Sequence, residues 1–67
     1  MEGWVKIFAS GQLHECELVK GMLADNNITA IIVNKQDSVY LFGEIELYVS
    51  VEDAFEANHL INLLHRE

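Results

Sequence analysis

The sequence predicts an α+β domain of ferredoxin-like β-α-β-β-α type, with a three-stranded mixed sheet in the order 1-3-2 and both helices on one face. Three observations predict it. Glu44–Val49 (EIELYV) alternates apolar and polar residues and runs straight into Ser50–Glu67 (SVEDAFEANHLINLLHRE), where apolar residues recur at three- and four-residue steps. The hydrophobic period thus changes from 2 to 3.6, the mark of a strand feeding a helix. A second helical segment stands between two strand-like runs in the first half of the chain. A right-handed crossover makes those two strands parallel, with room for one strand between them, and the third strand pairs on both sides only in that slot.

The first strand is Trp4–Ala9 (WVKIFA). Val5, Ile7 and Ala9 alternate with Trp4, Lys6 and Phe8. An unpaired buried ammonium is costly, so Lys6 marks the outer face and Trp4 and Phe8 are expected there with it. Ser10-Gly11 ends the strand. Leu13–Asn26 (LHECELVKGMLADN) has helical spacing: Leu13, Cys16, Val19 or Lys20, and Leu23 form the stripe, widened by Leu18 and Met22. Glu15 and Glu17 suit the positive end of the helix dipole. Gly21 costs roughly 1 kcal/mol relative to alanine, and close approach to the sheet is the expected reason for it. Asn26-Asn27 closes the helix, asparagine being second to glycine for a left-handed closing residue.

Ile28–Asn34 (ITAIIVN) is β-branched and apolar on both faces, and reads as the second strand. Lys35–Gly43 (KQDSVYLFG) connects it to the third strand and carries four consecutive apolar residues, Val39 to Phe42, as core cover or as a contact loop. After Glu44–Val49, Ser50 takes the helix N-cap position. Asp53 completes a capping box, and Ala54, Ala57, Leu60, Ile61 and Leu64 form the apolar face.

Sixty-seven residues make one domain, 1–67. A chain of this size buries only about 60% of its unfolded surface, so its own core is marginal. One cysteine, Cys16, excludes an internal disulfide, and His14, His59 and His65 lack zinc-site spacing around it. Self-association is the expected supplement. The net charge of −7 argues against a nucleic-acid surface. No apolar run reaches the ~20 residues of a membrane span. MEGWVKIF lacks the layout of a signal peptide, and a lone thiol suits a reducing compartment, so a cytoplasmic location is expected.

The segments ECELVKGMLADNNI and IELYVSVEDAFEANHLI resemble the two halves of a small prokaryotic family described as putative signal-transducing proteins. In that family, helix one typically reads Glu-Ala-Glu-Leu, and the last strand ends Leu-x-Val-Pro before an acidic, alanine-containing helix. Here Cys16 stands where the family usually has alanine, Asn27 where it has glycine, and Ser50-Val51 near its proline. The family resembles a reduced form of the nitrogen-regulatory PII proteins. That likeness implies a ferredoxin-like core, with Lys35–Gly43 in the place of the long PII partner-binding loop.

The expected sheet leaves the face opposite the helices uncovered. Trp4, Phe8, Ile31, Val33 and Tyr48 on that face, with Tyr40 and Phe42 in the loop, are the candidate interaction residues. Lys6 and Glu44 or Glu46 are close enough on neighbouring strands to pair. Aromatic residues are common interface anchors, and contiguous apolar patches mark binding surfaces. The expected function is a small regulatory or protein-interaction module. It self-associates, a dimer first, through the open face or the strand-one edge, and another protein is a further partner. The alternative is a PII-type sensor of a metabolite or nucleotide. No catalytic residue, cofactor or metal is expected, Cys16 reading as a buried small hydrophobe and the paired carboxylates Glu44 and Glu46 as a solvated face.

Overall fold

A computed structural model describes residues 2–36 and 43–65. Its elements are β1 (Trp4–Ser10), α1 (Leu13–Asp25), β2 (Ala30–Asn34), β3 (Ile45–Ser50), a single 3-10 turn (Val51–Asp53) and α2 (Ala54–Leu64). The sheet order is β1-β3-β2, with both ladders antiparallel. β1 and β2 are therefore parallel to each other across β3, and the sheet is mixed in strand direction but not in pairing. The expected α+β, ferredoxin-like arrangement is the one observed.

β3 organises the core. Its alternation is strict: Ile45, Leu47 and Val49 are 1%, 0% and 0% exposed, while Glu46, Tyr48 and Ser50 lie half-buried on the other side. α1 contributes buried Cys16, Val19 and Leu23, and α2 contributes Ala57 and Ile61. Ile28 and Ala30 complete the cluster. Each fully buried aliphatic side chain stabilises the fold by roughly 1.5–3 kcal/mol relative to exposure. With one sheet and one helical layer, the molecule is a slab of 35 × 33 × 16 Å.

Helix α1 ends as its two asparagines require. Asn27 takes φ +64°, its N–H donates to Ala24 O, and the Ile28 N–H donates to Leu23 O at 2.9 Å. These are the paired bonds of a Schellman closure, in which the residue after the left-handed one packs back on the helix. Ile28 is therefore a buried plug at the helix end, and β2 begins at Ala30 rather than at Ile28.

Three further expectations are corrected. Gly21 is exposed with nothing within 4 Å of where a Cβ would stand, so close packing does not account for it. Gly43 is the glycine under constraint: φ is +92°, and a Cβ there would lie 2.6 Å from Lys35 O. Leu13, Leu18 and Leu64, assigned to apolar stripes, are 45%, 59% and 53% exposed, because a thin sheet cannot cover stripes that wide. Ser50 does cap, but its Oγ accepts from the Glu52 N–H at 3.3 Å, and a 3-10 turn precedes α2 in place of the capping box.

The main departure is in β1. Val5 lies opposite Val49 and Lys6 opposite Tyr48, but Phe8 lies opposite Leu47, leaving Ile7 as an extra residue between them. This β-bulge reverses the phase of the strand. Phe8, expected on the open face, sits instead on the helix side, packed against the core and stacked on His65 with ring centroids 5.8 Å apart. No glycine marks the bulge, so alternation alone read straight through it.

Candidate interaction surface

The face opposite the helices is built by alternation on three strands. Tyr48 lies between Lys6 of β1 and Ile31 of β2, and Glu46 lies between Ala9 and Val33. Trp4 stands opposite Ser50 at one corner. Trp4, Ile31, Val33 and Tyr48 are each half-buried on a face that no helix or strand among the described residues covers. Of the candidate residues, these four are brought together. Phe8 is not among them. Tyr40 and Phe42 lie outside the described residues, as does the question of loop 37–42 as contact or cover.

A polar cluster sits within this apolar surround. The Glu46 side chain, 13% exposed, holds Lys6 Nζ at 3.5 Å and Lys35 Nζ at 3.1 Å, and accepts a 2.8 Å hydrogen bond from the Tyr48 hydroxyl. One carboxylate thus ties β1 and the residue following β2 to the central strand. The Tyr48 hydroxyl, then Lys35, hold the Glu46 carboxyl below its ordinary range, outweighing partial desolvation. Hydrogen bonding and charge from Glu46 likewise raise Lys35. The pairing expected for Lys6 is present, and Glu46 rather than Glu44 makes it. Lys35 was missed as a member because it was assigned to the connection. It continues the odd-numbered series Ile31, Val33, Lys35, and that spacing was the signal.

Other candidate chemistry is accounted for by packing. Cys16 is fully buried, and its thiol donates weakly to Ile45 O at 3.5 Å. Burial, then the Glu15 charge, pushes that thiol's pKa up, against a smaller opposing bond at Ser10. A thiol so held is a poor nucleophile. Among the described residues no group of three or more His, Cys, Asp or Glu side chains is placed to hold a metal ion, and no helix is long and apolar enough to cross a membrane.

Two surface features escaped sequence reasoning. Phe55 is 88% exposed and Val51 58% exposed at the start of the second helical segment. A groove of about 400 Å³ runs between α1 and the start of β2, lined by Lys20, Ala24 and Asn27 to Ala30. Neither has a one-dimensional signature, since both depend on which flank of a helix the sheet leaves bare.

A family model described as putative prokaryotic signal transducing protein matches residues 4–64. No curated protein and no solved structure matches the chain.

Proposed function

The chain belongs to the family of putative prokaryotic signal transducing proteins, and from that premise we propose that it is a non-enzymatic interaction module that binds protein, a second copy of itself included, through the open sheet face. The carrying observation is the apolar group Trp4, Ile31, Val33 and Tyr48 set around the Glu46 cluster. Apolar surface supplies the attraction. The cluster supplies register, because a partner must leave Glu46 with its donors or replace them. Lys6 and Lys35 against Glu44 and Glu46 leave this face with no net charge on a chain of net charge −7, so two copies can approach here with less repulsion than elsewhere. The β1 edge is the weaker route, because its bulge and Lys6 are both devices that keep edges from pairing.

Native mass spectrometry across a concentration series tests the reading, with Trp4→Ser as the variant. Truncating an aromatic anchor costs more than about 1 kcal/mol, so the association constant falls at least about fivefold. Unchanged mass and unchanged stability in Trp4→Ser exclude the open face as the contact. A metabolite or nucleotide that raises the melting temperature in a ligand screen supports the PII-type sensor in its place.

A further inference from the structure

We propose that the outer edge of β2, with which no strand among the described residues pairs, pairs antiparallel with the β2 edge of a second copy, so that two sheets join into one continuous six-stranded sheet. The backbone phase carries the argument. The Lys35 N–H donates to Glu44 O at 3.2 Å, and this pair continues the register in which Val33 faces Glu46 and Ile31 faces Tyr48. In an antiparallel ladder, hydrogen-bonded and non-bonded pairs alternate. Val33 and Ile31 therefore direct their N–H and C=O groups to β3, and Ala30, Ile32 and Asn34 direct theirs away from the sheet.

The two edges of the sheet differ. β1 carries a bulge and Lys6, which blunt it. β2 has a regular register, and its sequence AIIVN contains no charge, no proline and no glycine. On a chain of net charge −7, it is an uncharged stripe along which two like-charged copies can meet.

The stripe also complements itself. Pairing centred on Ile32 sets each Ile32 opposite the other and each Ala30 opposite Asn34 of the second copy, so every outward-directed backbone group finds a partner. On the open face the same register sets Ile31 beside Val33 across the seam, a β-branched cross-strand pair. It also carries Lys35 and Gln36 of the second copy past Thr29 and Ile28, alongside the groove lined by Lys20, Ala24 and Asn27 to Ala30. The occupant the edge fits is therefore a second copy of this chain. The seam does not use Trp4, so it stands or falls separately from the open-face contact.

Amide hydrogen exchange on the intact chain tests this directly. The Ile32 and Asn34 amides should gain at least tenfold protection between roughly 10 μM and 1 mM chain, approaching Ile31 and Val33, and Trp4→Ser should keep that gain. Fast exchange at both positions at every concentration overturns the proposal. So does protection that disappears in Trp4→Ser, which assigns the assembly to the open face, or protection that rises only on adding another extended peptide.

Discussion

Replacing Phe8 with alanine discriminates between the bulged strand and a regular one. In the structure the ring lies on the helix side, opposite Leu47, packed on the core and stacked on His65. Complete burial of a phenylalanine followed by truncation to alanine costs roughly 3–5 kcal/mol. Phe8 is half-buried, at a sheet margin where its neighbours can relax, so about 2 kcal/mol is the expected loss. For a domain of this size each kcal/mol moves the midpoint by roughly 4–8 °C, so the variant should melt about 8–16 °C below the parent. Calorimetry or thermal circular dichroism reads the shift, and an NOE between the Phe8 and His65 rings reads the geometry. Trp4→Ala, on the opposite face, should cost clearly less. A Phe8→Ala variant that melts with the parent while losing association would refute the bulge and return Phe8 to the open face.

Three further outcomes follow from the same structure. Gly21→Ala should raise stability by about 0.5–1 kcal/mol, since nothing crowds the new methyl group. Gly43→Ala should lower it by more than about 1 kcal/mol, because φ +92° is strained for an L side chain and its Cβ meets Lys35 O; urea midpoints of the pair give both signs. The Glu46 carboxyl has a lowered pKa in the fold, so its stabilising contribution is fully present above the unfolded carboxylate value near ~4.3 and is lost as pH falls through the folded value. The stability gap between wild type and Glu46→Gln should therefore be constant around neutral pH and close in acid. A gap that widens in acid contradicts the network.

What could be read from the chain beforehand was what local periodicity controls. The Ile45, Leu47, Val49 series fixed the face of the central strand, and the Asn26-Asn27 pair fixed the end of α1. The crossover rule then left one slot for β3. Three errors have a common origin in packing between elements. An unmarked extra residue at Ile7 moved Phe8 across the sheet, although each residue from Trp4 to Ala9 fits a strand individually. Leu13, Leu18 and Leu64 obey helical spacing yet find no neighbour, because exposure depends on the width of the opposing layer. Lys35 joined the open face through a side chain that reaches back over Glu46, which no strand boundary announces.

The 16 Å dimension sets a limit on how this domain recognises anything. With a single helical layer over a single sheet, the described residues bury one thin apolar core, and the sheet face and strand margins make up a large share of the surface. Contact chemistry is pushed to the flats and the rims. If the open face and the β2 margin are the contact surfaces proposed above, selectivity comes from the outline of a patch and the phase of a strand margin, and a one-residue insertion or deletion in β1 or β2 would alter it more than most changes of side chain.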